Sequence, residues 1–188
     1  MILDATASHR AMWLDKTDPE AVFIDQRKEV KPDIVCCWQY LPFKNAVFDV
    51  DNFDPPHILY QSKGKPSQFN LTEKYGCLEP ETWPKDLYIA FEELMRVLMP
   101  HGTLLFKWND NHISNKRMLA VLPIKPKFGS QVRESRGFKN KISKEPRSVT
   151  SWFCFTRRSY DAYLEEGGNK GVMLTVDAKD IRRQEVSR

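Results

Sequence analysis

Three short apolar runs in this chain each end on an aspartate: Ile2-Leu3-Asp4, Ala21-Val-Phe-Ile-Asp25 and Phe48-Asp-Val-Asp-Asn-Phe-Asp54. A fourth, Asp33-Ile-Val-Cys-Cys37, lies between the second and the third. Spacings of roughly 10–20 residues fit β-strands alternating with short helices or loops. Apolar strands ending in acids fit a parallel sheet whose carboxyl ends line a ligand crevice. The pattern predicts an α/β fold with polar chemistry along one edge of the sheet.

The rest of the chain can be read around that sheet. Leu87, Phe91, Leu94 and Leu98 recur at helical spacing, with Ala90, Met95 and Val97 beside them, which predicts a helix over 83–99. Pro84 suits its first turn. Pro100-His-Gly102 ends it and opens a strand, Thr103-Leu-Leu-Phe-Lys-Trp108. A shorter helix is expected over 114–122 and a last strand over 149–156. Residues 57–82 are polar and read as a long loop, of the kind that often carries function.

A length of 188 residues with 41% hydrophobic content is enough for one domain with a complete core. No stretch reaches the ~18 apolar residues of a membrane helix, and Met1 leads directly into Ile2-Leu3-Asp4 with no secretory signal. The expectation is a soluble, cytoplasmic protein with no membrane partner. Cys36, Cys37, Cys77 and Cys154 form no C-x-x-C pair and read as small apolar residues. His9, His57, His101 and His112 are scattered, so no metal site is expected.

The net charge of +4 is unevenly spread. Between Lys125 and Arg158 stand ten Lys/Arg and two acids, a local +8, while the flanking parts are slightly acidic. A basic segment on an otherwise neutral body suggests a polyanionic partner. Within it Phe128-Gly129, Arg133, Arg136, Gly137-Phe138, Lys139 and Lys141 interleave aromatics, glycines and cations, which suits phosphate contact and base stacking. A solvated loop that keeps the protein soluble would have the same charge.

Asp54-Pro-Pro-His57 is the sharpest local signal. Two prolines stop the strand and hold Asp54 and His57 rigidly at its end. The carboxylate and the neighbouring carbonyls can take both hydrogens of an exocyclic amine, and a planar side chain after the prolines can stack on the base. A strand terminator with a turn-capping acid would read the same way.

Taken together, Ile2-Leu3-Asp4, Phe23-Ile-Asp25, Leu41-Pro-Phe43, Phe48-Asp49, Phe53-Asp-Pro-Pro-His57 and Arg96-Val-Leu-Met-Pro-His-Gly-Thr-Leu-Leu-Phe-Lys-Trp108 resemble successive motifs of class I S-adenosylmethionine-dependent methyltransferases. More narrowly they resemble the small phage and prophage amino-methyltransferases. The resemblance implies a Rossmann-like fold: a mostly parallel sheet with an antiparallel last strand and helices on both faces. It implies a methyltransferase domain over 1–158, with a basic insertion over 125–150 between the last strands, and a C-terminal tail over 159–188. The implied activity is methyl transfer to an exocyclic amino nitrogen of a nucleobase in DNA or RNA, adenine N6 ahead of cytosine N4. Asp54, Pro55, Pro56 and His57 would be catalytic. Asp4, Ala5, Thr6, Ala7, Asp25, Gln39 and Leu41 would bind the cofactor, with Trp38 or Tyr40 as an apolar face for its adenine. Asp25 follows Asp4 by 21 positions, close to the ~20-residue interval of related nucleotide folds. Lys107, Arg133, Arg136, Lys139 and Lys141 would contact nucleic acid. In this topology Lys107 and Trp108 face the site, or else Trp108 belongs to the core and Lys107 to solvent.

Two features depart from the pattern. The first loop, Asp4-Ala-Thr-Ala-Ser-His-Arg10, lacks the glycine that lets backbone pass close to a ligand. His57 stands where tyrosine, phenylalanine or tryptophan is commoner in amino-methyltransferases. The alternative function is therefore a weak or inactive methyltransferase fold that binds nucleic acid or a protein partner. The small size leaves broad specificity, a homodimer or a helper protein as ways to select a target.

Overall fold

The computed structural model describes residues 1–60, 76–133 and 149–168. Seven strands, β1 (Ile2–Asp4), β2 (Ala21–Asp25), β3 (Ile34–Val35), β4 (Phe48–Phe53), β5 (Leu98–Asn109), β6 (Phe128–Arg133) and β7 (Val149–Thr156), form one sheet in the order β3-β2-β1-β4-β5-β7-β6. The pairs from β3 to β5 are parallel, and β7 runs antiparallel to both β5 and β6. The sheet is thus mostly parallel with an antiparallel last strand. From β1 the chain winds outward to β3, then returns to β4 on the other side of β1. This reversal puts a topological switch point between β1 and β4, where ligands of open α/β sheets bind.

Three α-helices pack on the sheet: α1 (Trp83–Val97), α2 (Asn115–Ala120) and α3 (Arg157–Glu165). Directly paired residues share a face, so Leu3, Asp51, Leu104 and Phe155 form one row. Phe91 of α1 meets Phe155 edge-on at 5.0 Å, Tyr160 of α3 meets Phe91, and Asn115 of α2 donates to Ser151 on the same side. The core lies there, with Phe53, Phe106 and Trp108 fully buried. Trp108 is therefore a core residue, and its indole donates to the Ile113 carbonyl. The opposite face carries Asp4, Asn52, Leu105 and Lys107. There the segment between β1 and β2 lays Trp13 against Phe23, so among the described residues the α-helices cover one face, not both faces as the resemblance implies.

Strand β5 starts five residues before the expected Thr103, and α1 ends at Val97. The Pro-His-Gly stretch turns within the strand, where the pairing with β4 shifts register. A Cβ on Gly102 would stand 2.8 Å from Leu98 Cδ2 and 2.9 Å from the Met99 carbonyl, so only glycine fits. The short helix starts at Asn115, one residue inside the expected span, and the Ser114 hydroxyl caps it by accepting from the Arg117 N–H. Helix α3 crosses the expected boundary at 158/159. Arg157 places its guanidinium on the Met95, Arg96 and Leu98 carbonyls at the end of α1, which ties this helix to the domain. No described helix is long and apolar enough to cross a membrane. Among the described residues no cluster of His, Cys, Asp or Glu could hold a metal, and the four cysteines are free.

Candidate active site

The carboxyl ends of β1, β2, β4 and β5 bring Asp4, Asp25, Asp54 and Lys107 to one edge of the sheet. Asp4 is buried, and its carboxylate takes the Trp13 indole N–H at 2.6 Å and the Thr6 N–H at 3.2 Å. Burial raises its pKa; the bonds from Trp13, Thr6 and Asn52 pull it partly back, and the charge of Asp54 pushes it up again.

The loop after Asp4 is held from both sides. Ala5 donates to the Asn52 carbonyl at 2.9 Å and Ala7 to the Ile24 carbonyl at 3.0 Å. Both alanines are buried, so larger side chains would not fit. Thr6 accepts the Asp54 N–H at 2.7 Å, which joins the first loop to the Asp-Pro-Pro turn. Without glycine, the loop still uses left-handed backbone, at Ser8 (φ 47) and Arg10 (φ 54). Such a conformation costs a non-glycine residue roughly 1 kcal/mol or more. Arg10 is held there by its side chain: it lies 3.9 Å over the Phe23 ring and donates to Asp33 and to the Lys16 and Lys31 carbonyls.

Asp25 sits at the end of β2, nearly buried. Arg27 grips it in a fork, Nε to Oδ1 at 3.0 Å and Nη2 to Oδ2 at 2.9 Å. The Arg27 and Ser8 N–H groups donate to the same carboxylate. Burial alone would raise the Asp25 pKa, but the Arg27 hydrogen bonds and charge, with the Ser8 N–H, hold it below 3.8.

Asp54 follows β4 directly. Its Oδ2 accepts from Lys107 Nζ at 2.6 Å, and that ammonium also lies 3.8 Å from Met12 Sδ and 5.9 Å from the Trp152 ring centre. His57 stands half-buried, edge-on to Trp108 at 6.4 Å. Burial holds its pKa below 6.5, Asp54 raises it, Lys107 lowers it, and a backbone hydrogen bond to Pro55 raises it slightly. The net direction keeps the imidazole neutral at pH 7. Gly76 (φ 78) returns the chain against Pro56, where a Cβ would come within 3.2 Å of Pro56 Cγ.

Asp4, Thr6, Asp54 and Lys107 are thus joined into one cluster, with Ala5, Ala7, Pro55 and His57 around it and Asp25 reached through Ser8. Gln39 and Leu41 are tied elsewhere: the Gln39 amide donates to Asp86, and the Leu41 N–H donates to Glu93 while its side chain is buried. Trp38 packs on Phe53 in the core, leaving Tyr40, 72% exposed, as the free ring of that stretch. Arg133 ends β6, and Arg136, Lys139 and Lys141 lie outside the described residues. Trp13, Asn52 and Arg27 belong to the cluster but do not stand out in the sequence. A tryptophan in an irregular stretch between two strands is the only signal Trp13 offers.

No family model matches the chain, and no curated protein does. Solved structures do. PH0226 protein from Pyrococcus horikoshii OT3 is 13% identical over 81% of this chain and 80% of its own, with a TM-score of 0.50. A SAM-dependent methyltransferase from Methanosarcina mazei is 11% identical over 81% and 90%, with a TM-score of 0.49. An rRNA methylase from Streptococcus thermophilus is 11% identical over 81% and 86%, with a TM-score of 0.42. At this identity the likeness is one of fold. The strand order, with the likeness to the PH0226 protein, defines a Rossmann-like α/β protein with its polar cluster at the switch point.

Proposed function

We propose that this protein transfers a methyl group from S-adenosylmethionine to an exocyclic amino nitrogen of a nucleobase in DNA or RNA, with adenine N6 ahead of cytosine N4. The observation that carries this reading is the Thr6–Asp54 hydrogen bond. It fastens the loop at the end of β1, where a nucleotide cofactor sits in such folds, to the rigid Asp-Pro-Pro-His turn that suits an amine.

The residues present fit the cofactor in kind. Asp25 offers a carboxylate at the end of β2 for ribose hydroxyls, provided the partly exposed Arg27 side chain swings off it. The Ala5–Ala7 backbone and Asp4 border the place for the amino acid end, and Tyr40 offers an exposed ring. When bound, S-adenosylmethionine supplies an electrophilic methyl group on sulfur. Asp54 would accept one hydrogen bond from the amine through the oxygen not held by Lys107, and the Pro55 carbonyl would accept the other; as the nitrogen takes the methyl group the sulfur would keep the C–S bonding pair, and the proton the nitrogen sheds would pass to that Asp54 oxygen. The neutral His57 ring stacks on the base. Catalysis then rests on positioning and on fixed acceptors.

The second reading, a nucleic-acid- or partner-binding module on this fold, has its own support. Asp4, Asp25 and Asp54 each already hold a donor from the chain: Trp13, Arg27 and Lys107. Calorimetry with S-adenosylmethionine, followed by labelled transfer to mixed DNA and RNA and nucleoside mass spectrometry, separates the two. Binding and a methylated adenine or cytosine support the enzyme. An absence of heat at millimolar cofactor removes it.

A further inference from the structure

The sheet face opposite the helices carries exposed apolar side chains on β5 and β6, with the half-buried Trp152 of β7 between them. Phe128 is 70% exposed, Val132 60% and Leu105 37%. The pairing puts Leu105, Cys154 and Phe128 in one row and Lys107, Trp152 and Ser130 in the next. Trp152, half-buried, therefore lies diagonally beside Phe128, a separation of about 7–8 Å in an antiparallel pair. Its ring has the Lys107 ammonium 5.9 Å from its centre. Strand β6 is an edge strand whose residues 128–132 are all exposed. Exposed Lys125 and Lys127 lead into it, and it opens the stretch of chain with a local charge of +8.

We propose that this face is a stacking platform for single-stranded nucleic acid, with successive bases on Phe128 and Trp152 and phosphates drawn by Lys125 and Lys127. The proposal rests on the nucleic-acid reading of the active site and adds to it the surface that receives the strand. The charge selects the occupant. An exposed apolar edge strand would otherwise invite a second copy, but lysines flanking it repel a like surface and attract a polyanion. A flat sheet face with aromatics on neighbouring strands presents rings to unstacked bases, which a duplex does not offer. Lys107 joins the platform to the cluster, since the same ammonium contacts Asp54.

The test is fluorescence anisotropy of the full chain, without cofactor, with labelled 12-nucleotide oligo(dT), oligo(U) and a 12-base-pair DNA duplex. Both single strands should bind more tightly than the duplex; a difference between them identifies the sugar preferred. Phe128→Ala should weaken single-strand binding at least ~5-fold, the lower end of one lost base stack. Phe128→Trp should stay within ~3-fold of the native protein. Trp152→Phe should keep binding and guards against a folding defect in Trp152→Ala. Affinity should fall linearly on a log–log salt plot. Unchanged affinity in Phe128→Ala, tighter duplex binding, or a dimer that Phe128→Ala dissociates would overturn the platform. Because no cofactor is present, these results stand apart from a failure of methyl transfer.

Discussion

Lys107 Nζ lies 2.6 Å from Asp54 Oδ2, across 53 positions of sequence, and binds the carboxylate to which the amine-accepting role is given. The pair is partly screened by solvent, so its contribution to stability is small, roughly 0–1 kcal/mol. Its effect falls on function: one oxygen is held and the other is left to the substrate. Asp54→Ala should leave S-adenosylmethionine affinity within ~3-fold by calorimetry and lower single-turnover methyl transfer by about 100-fold or more, the scale of a lost positioned electrostatic group. Undiminished transfer would remove Asp54 from the mechanism.

Asp51 lies in the middle of β4 between Leu3 and Leu104, fully buried, and among the described residues neither carboxylate oxygen has a hydrogen-bond partner. Burial raises its pKa well above 3.8. The folded state therefore keeps a proton that the unfolded chain gives up, and stability falls as pH rises from about 4 toward the folded value. Asp51→Val should remove that slope and stabilise the protein at pH 7.5 by roughly 1–3 kcal/mol, the cost of an unpartnered buried polar group. The gain should shrink toward pH 4. Urea unfolding at pH 4.5, 6 and 7.5 reads it directly, and a loss of stability in Asp51→Val would show that the carboxyl has a partner.

The strands were legible because their apolar runs are local. Ile2–Asp4, Ala21–Asp25 and Phe48–Phe53 lie where the pattern puts them, and the Trp83 helix declares itself by its apolar stripe. The start of β5 was hidden because Leu98 continues the helical stripe and Pro100-His-Gly102 reads as the stop of that helix, whereas here pairing with β4 begins at Leu98. The β6 strand was hidden within the basic segment because it is an exposed edge, without the buried alternation that marks a strand. At the site, acids at strand ends could be seen, but the donors that occupy them could not. The Trp13–Asp4 and Lys107–Asp54 contacts depend on tertiary geometry. The Arg27–Asp25 fork is only two residues apart, yet nothing in the spacing distinguishes it from a solvated pair.

Ser8 and Arg10 share a left-handed backbone, at φ 47 and 54, and glycine should act oppositely at the two. Ser8 contributes its N–H to Asp25, which glycine keeps. Ser8→Gly should therefore relieve most of ~1 kcal/mol of strain, less the added freedom of the unfolded chain, and raise the melting temperature by up to ~2–4 °C. Arg10→Gly relieves the same strain but removes the Phe23 stacking and the bonds to Asp33 and the Lys16 carbonyl, so it should lower the melting temperature. Scanning calorimetry of both variants checks the contrast. Equal signs would mean that backbone strain does not decide the behaviour of this loop.

Trp13 supplies the strongest donor to Asp4, indole N–H to Oδ2 at 2.6 Å, and its ring packs edge-on against Phe23 at 4.9 Å. Trp13→Phe keeps a ring on Phe23 and removes the donor. The Asp4 carboxylate then loses a charge-assisted bond in a buried place, at a cost of about 1.5–3 kcal/mol at pH 7.5. The Asp4 pKa is already raised, and loss of the indole bond raises it further. Folding thus becomes more costly as pH rises above about 4, and the penalty of the variant should diminish as pH falls and the folded carboxyl takes up its proton. Asp4→Asn in the same background should recover part of the loss, giving a coupling energy in a double-mutant cycle. Urea midpoints of the four proteins at pH 7.5 and 4.5 measure it, and a pH-independent penalty would place the role of Trp13 in packing on Phe23 alone.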